Sequence, residues 1–395
     1  MNRKKLGLYI HIPICEKKCA YCDFYSVTHF EECSRYTDSL LLQMEDFSKE
    51  CSSYEVDSVF IGGGTPTLLP KKNMVELING IYRNFKVLKD AEFTMEANPA
   101  SVDLSTLKKY RKLGVNRLSI GMQSANEKEL RGLTRIHTFE EFCNSYAAAR
   151  KAGFDNINVD VMYGIPMQTK ESLDRTLTEV IRLEPEHISL YGLKIEEGTP
   201  FAKHEDKLVL PDEDVEYAMY TSSIEKLARH GYKQYEISNF ARKGRECRHN
   251  LRYWNCEEYL GFGPAAHSYF KDRRFSYKRS VSMFMDALEY PDAGINIFEE
   301  DYEVTPSARV DEYIMLQLRL NKGLDENDFK ERFGVDFGEK YAKDLKLYLD
   351  NGFMKYENGR YFFTPKGMYV SNYILSSFLT FESEIADNIA SGLDK

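Results

Sequence analysis

From Leu6 to Glu196 the chain alternates short β-branched or aromatic runs with longer stretches of helical period, and that alternation leaves few folds open. Runs at Leu8–Ile12, Val56–Ile61, Glu92–Glu96, Arg117–Gly121, Asn156–Met162 and His187–Leu193 have the largely apolar character of strands buried on both faces. Between them Phe30–Lys49, Lys71–Phe85, Leu104–Leu113, Phe139–Ala152 and Lys170–Arg182 read as helices. Thr138 ahead of Phe139-Glu140-Glu141 fits an N-cap followed by an acidic first turn. A strand that returns through a helix lies parallel to its predecessor, so the expected sheet is parallel with crossover helices. Six such units are too few for a closed eightfold barrel. The expected fold class is therefore α/β, an open six-stranded partial (βα)6 barrel.

Beyond Pro211 the pattern changes. Asp212–Arg229 reads as a helix, Gln234–Arg248 as a polar stretch, and Glu300–Ser307 as a linker. Arg309–Tyr373 is expected to be helical, ending in a hairpin with Asn358-Gly359 at its turn, which suggests a small winged-helix-like domain. The expected segments are 1–235, 236–300 and 301–395. A formal charge of −9 argues against broad binding of nucleic acid or anionic membrane, so a lid or docking role suits the last segment better than DNA binding. No apolar run approaches the roughly 20 residues of a membrane span, and the opening Met-Asn-Arg-Lys-Lys stretch is too short for a signal peptide. Cytoplasm is the expected setting.

Three of the eight cysteines, Cys15, Cys19 and Cys22, stand in the spacing C-x3-C-x2-C just past the first expected strand. Clustered thiols in a chain of this size point to a metal site rather than a disulfide framework. Three thiolates are one too few for a closed structural zinc, whereas a [4Fe–4S] cluster on three thiolates keeps one iron open to an exchangeable ligand. A zinc loop borrowing His11 or Asp23 and a set of unliganded thiols both stay open on spacing alone. Cys33, Cys51 and Cys143 fall in expected helices and read as small buried hydrophobes.

The strand Leu8-Tyr-Ile-His-Ile-Pro-Ile-Cys15, the cysteine loop and the Gly62-Gly63-Gly64-Thr65 turn after the second strand together resemble the radical S-adenosylmethionine (SAM) superfamily. Within it the chain is similar to the branch containing anaerobic coproporphyrinogen III dehydrogenase and the HemW haem chaperones, from Tyr9 to about Tyr373. The resemblance implies a [4Fe–4S] cluster on Cys15, Cys19 and Cys22, with SAM chelating the fourth iron. An electron from the cluster would then break the sulfonium bond and leave a 5′-deoxyadenosyl radical, which requires an electron donor. It also implies that Gly63, Gly64 and Thr65 hold the methionyl part of SAM, and that Tyr9 and Tyr21 flank the cluster loop. Glu96, Gln123 and Asp160, at or just past strand ends, and Arg135, after the next loop, match the family's SAM contacts. A carboxylate in an apolar strand is costly unless paired or liganded. An internal ion pair such as Arg135 with Asp160 is the structural alternative.

Two features separate the branch members. The dehydrogenase extends the motif with a fourth cysteine and carries a longer N-terminal segment; here Cys22 is followed by Asp23-Phe24, and fourteen residues precede Cys15. Arg248-His249-Asn250-Leu251-Arg252-Tyr253-Trp254 matches the H-N-x-x-Y-W signature of the chaperones. The resemblance implies haem as a further ligand, with His249 as its axial ligand, Trp254 stacking, and Arg248 and Arg252 toward the propionates. A core histidine closing the barrel mouth is the structural alternative, and His267 is the second pocket candidate. The function expected is a haem chaperone that passes haem to acceptor proteins in the cytoplasm or at its membrane face, through peripheral contact there. The runner-up is an oxygen-independent coproporphyrinogen III dehydrogenase. Whether the chain is itself an enzyme stays open.

Overall fold

The computed structural model describes residues 3–379, so the end of the expected 301–395 segment lies outside the described residues. The chain forms two compact units. One holds residues up to Lys233 together with Ser238–Arg252 and Glu257–Tyr302; the other holds Gln234–Ile237, Tyr253–Cys256 and the chain from Glu303.

The first unit is built on six strands: β1 (Lys4–Ile12), β2 (Tyr54–Gly63), β3 (Val87–Ala97), β4 (Arg117–Gln123), β5 (Ile157–Tyr163) and β6 (His187–Gly192). They lie side by side in chain order and every adjacent pair is parallel. Leu6, Leu8, Ile10 and Ile12 of β1 are fully buried, as are Val59 and Ile61 of β2 and Val159 and Val161 of β5. The expected helices form at Cys33–Glu50, Lys71–Asn84, Leu104–Lys112, Phe139–Lys151 and Lys170–Arg182. Thr138 caps the fourth of these in a reciprocal capping box with Glu141. Cys33 and Cys143 are half-exposed rather than buried; Cys51 is buried as expected.

The sheet does not stop at six strands. β7 (Lys233–Gln234) and β8 (Asn239–Ala241) extend it beyond β6. On the other side β9 (Tyr259–Phe262), β10 (His267–Phe270), β11 (Arg273–Tyr277) and β12 (Phe298–Glu303) extend it beyond β1. β1 and β6 are therefore each paired on both sides, and the six-stranded core stays open. The expected linker at Glu300–Ser307 is corrected: its first residues belong to β12 and its last begin a helix at Pro306. β12 is the edge strand, and edge strands carry charge, which made Phe298-Glu-Glu-Asp-Tyr-Glu read as a linker.

In the second unit helices at Pro306–Gln317, Glu326–Phe333, Phe337–Lys340 and Ala342–Asp350 accompany a three-stranded sheet of β13 (Leu324–Asp325), β14 (Met354–Glu357) and β15 (Arg360–Phe363). The β14–β15 hairpin turns at Asn358 and Gly359, both at positive φ, as an Asn-Gly turn requires. Phe329, Phe337 and Phe378 form its aromatic core. Among the described residues no helix is long and apolar enough to cross a membrane.

Candidate functional site

The cysteine loop begins where β1 ends. It is closed by Ile14 bridging Val27, with the Cys15 N–H donating to the Val27 carbonyl and the Val27 N–H to the Pro13 carbonyl. All three thiols are half-exposed along the loop. Burial pushes the Cys22 thiol up to about 11, with the neighbouring Cys19 and Cys15 adding to the shift, and it raises Cys15 as well.

The glycine turn after β2 closes directly on this loop. The Gly64 N–H donates to the Ile12 carbonyl and the Thr65 N–H to the Ile14 carbonyl. A Cβ on Gly64 would lie 2.6 Å from the Ile14 carbonyl oxygen and 2.9 Å from Cys15 Sγ. Gly63 is at φ +116°, where a Cβ would also run into the His11 ring at 2.7 Å. Glycine at these two positions is what lets the two loops meet. The Gly63 N–H donates to Glu96 Oε2 at 3.0 Å, and Asn98 Nδ2 donates to Thr65 Oγ1 at 2.6 Å.

The strand ends supply the rest. Glu96 of β3 lines the cavity yet lies deep in the fold. That depth pushes its carboxyl up to about 8, with the charge of Asp160 adding to the shift. Asp160 of β5 accepts from Asn158 Nδ2 at 2.7 Å and from Ser119 Oγ at 3.4 Å, and burial raises its carboxyl too. Gln123 ends β4 at φ +68°, beside a break in register with β5. A left-handed glutamine in a strand is uncommon and is held only where the surroundings demand it. Arg135 donates to the Asn98 side chain at 3.0 Å and to the Gly121 carbonyl at 2.9 Å, and its Nη1 lies 3.6 Å from Cys19 Sγ. The alternative ion pair of Arg135 with Asp160 does not form.

Cys15, Cys19, Cys22, Tyr21, Gly63, Gly64, Glu96, Gln123, Arg135 and Asp160 all line one cavity of about 580 Å³. Three expected site residues do not. Thr65 is buried behind the glycine turn. Tyr9 donates or accepts at His11 Nδ1, 3.0 Å away, one layer below. His11 engages the Tyr25 carbonyl through its other ring nitrogen, and Asp23 pairs with Arg279, so both candidates for a fourth zinc ligand are occupied. Among the described residues no three His, Cys, Asp or Glu side chains converge as a single ion would need.

His249 is the third, and it does not line the cavity. Its ring is buried to 1 %, Nδ1 lies 3.0 Å from Ser58 Oγ of β2, and the ring packs against Phe60 at 5.5 Å. Burial, reinforced by the charges of Arg252 and Arg117, holds its pKa down to about 3. Arg252, expected near a propionate, is buried to 3 % and paired with Asp57 and Glu257. Glu92 of β3 fixes the start of the helix Arg248–Trp254 by accepting the Arg248 and His249 N–H groups, each at 3.1 Å. The motif is thus a clamp, and the side chain it presents to the cavity is Asn250. His267 is exposed on β10 and lines no part of the cavity. Sequence reasoning also missed Asn98, Ser119, Asn158 and Ser189 as cavity residues. Their period-two spacing with Glu96, Gly121, Asp160 and Tyr191 was the available signal.

A family model described as the radical SAM superfamily matches residues 9–180, and one described as the HemN C-terminal domain matches residues 304–370. A Bacillus subtilis protein named heme chaperone HemW is 34% identical over 375 residues, covering 94% of this chain and 98% of its own length. The Escherichia coli heme chaperone HemW is 40% identical over 268 residues, 66% of this chain and 69% of its own. Among solved structures, coproporphyrinogen III oxidase (HemN) from Escherichia coli superposes with a TM-score of 0.83 at 26% identity, covering 96% of this chain and 91% of that one.

Proposed function

Because the chain belongs to the HemW family within the radical SAM superfamily, we propose that it is a haem chaperone, binding haem and passing it to acceptor proteins. Cys15, Cys19 and Cys22 would hold a [4Fe–4S] cluster, and the donor set fits: three open thiols and a glycine wall that leaves Cys15 Sγ room. Gly63, Gly64, Glu96, Gln123, Arg135 and Asp160 would hold SAM. When bound, cluster and SAM together supply a reducing electron and a cleavable sulfonium; an electron donor completes that chemistry. This chain's own residues do the orienting. Arg135 offers a guanidinium to a carboxylate, and Glu96 and Asp160 offer oxygens to an ammonium or to ribose hydroxyls.

The observation that carries this reading is that the three cysteines and both buried carboxyls line one cavity. Phe24, at the position where the dehydrogenase has a cysteine, weighs against coproporphyrinogen turnover. Delivery to acceptors in the cytoplasm or at its membrane face belongs to the same proposal. The test is anaerobic: reconstituted protein is titrated with haem, and separately incubated with coproporphyrinogen III and SAM. Haem binding without decarboxylation supports the chaperone. Decarboxylation without haem binding replaces it with the dehydrogenase.

A further inference from the structure

The rim of the cavity differs from its interior. Phe24, just past Cys22, lines the cavity and is 68% exposed; Tyr191, at the end of β6, lines it and is 39% exposed. Large aromatic side chains exposed beside a deep cavity mark a place where a flat apolar ligand lies. The same rim carries Lys17, Lys18 and Lys194. Lys194 is paired with Glu196 at 2.6 Å, and the rim acid Asp23 is paired with Arg279. Among the described residues Lys17 and Lys18 have no ion-pair partner. Two exposed aromatic side chains and two ammonium groups without an ion-pair partner suit one kind of ligand: a broad conjugated ring bearing two carboxylates.

Resting on the haem reading above, we propose that haem docks at the cavity mouth, its ring against Phe24 and Tyr191 and its propionates toward Lys17 and Lys18. His249, buried beneath β2, takes no direct part.

The test uses the full chain with its cluster in place, titrated anaerobically with ferric haem while the Soret band is followed. The double charge reversal Lys17→Glu with Lys18→Glu is expected to weaken haem at least tenfold. Because that change sits inside the cluster loop, Tyr191→Ala, on a strand end outside it, provides an independent arm and is expected to weaken haem several-fold. Iron content is measured on every variant. Haem dimethyl ester, which lacks the carboxylates, should bind wild type and the double variant alike. If wild type binds haem and all variants bind it equally well, the mouth site is overturned and the chaperone reading stands. If wild type binds no haem, the chaperone reading itself fails. Loss in the lysine variant with none in Tyr191→Ala overturns the stacking half of the proposal.

Discussion

Glu92 and Glu96 lie on the same face of the same strand, four residues apart, and they do opposite work. Glu92 is surrounded by donors: two backbone N–H groups of the helix it caps, and the Cys247 thiol at 3.4 Å. Glu96, one turn of the pleat further toward the cavity, has a single protein partner among the described residues, the Gly63 N–H. A buried carboxylate with its donors in place is structure; one short of donors beside a cavity waits for a ligand. The same contrast runs across the whole unit. At one end Arg252 pairs with Asp57, His249 with Ser58 and Glu92 with the helix it caps, while at the other burial and the charge of Asp160 raise the Glu96 carboxyl.

The largest test of this contrast is Glu92→Ala. It strands two helix N–H groups in the core and should cost on the order of 3 kcal/mol in urea unfolding. Glu96→Ala should cost far less. Equal losses would dissolve the distinction.

Glu96→Gln sharpens it from the other side. The amide still accepts the Gly63 N–H but cannot serve a cation, so SAM affinity should fall by roughly 1.5–3 kcal/mol, about one to two decades. Stability should move the opposite way. The folded carboxyl titrates near 8 against an ordinary 4.5. Its contribution is therefore complete below about pH 4 and lost as pH rises through 8. The variant should melt above wild type at pH 9 and level with it at pH 5. A wild-type melting curve equally steady across that window would place Glu96 in an ordinary solvated setting.

His249→Ala should then lower stability by about 2 kcal/mol, through a core cavity and the lost Ser58 partner, while the folded fraction binds haem with an unchanged Soret band. A Soret band lost with the fold intact would restore the axial role. The smallest effect belongs to Cys33→Ala: the thiol donates only to the Phe30 carbonyl at 3.7 Å, so iron content should match wild type.

The six parallel strands were legible because strands buried on both faces are written in nearly unbroken apolar residues, as in Leu8–Ile12. The cavity residues were legible because loops at the ends of such strands gather at one cavity. The flanking strands were not. β7 and β8 are two and three residues long, too short to show a period, and β12 shows its solvent side. The setting of His249 was not legible for a deeper reason. A polar side chain clustered with aromatics has the same pattern whether its partner is a metal or a serine hydroxyl. Only Ser58, 191 positions away in sequence, tells them apart.

The missing side chain at Gly64 ties two histories together. One added carbon there would press on the thiol of Cys15 and on the carbonyl before it, so the cysteine loop and the glycine turn cannot drift apart by independent mutation. A substitution that reshaped one would have to be answered in the other, generation by generation. A lineage that no longer used SAM would still have to keep this glycine for as long as it kept its iron.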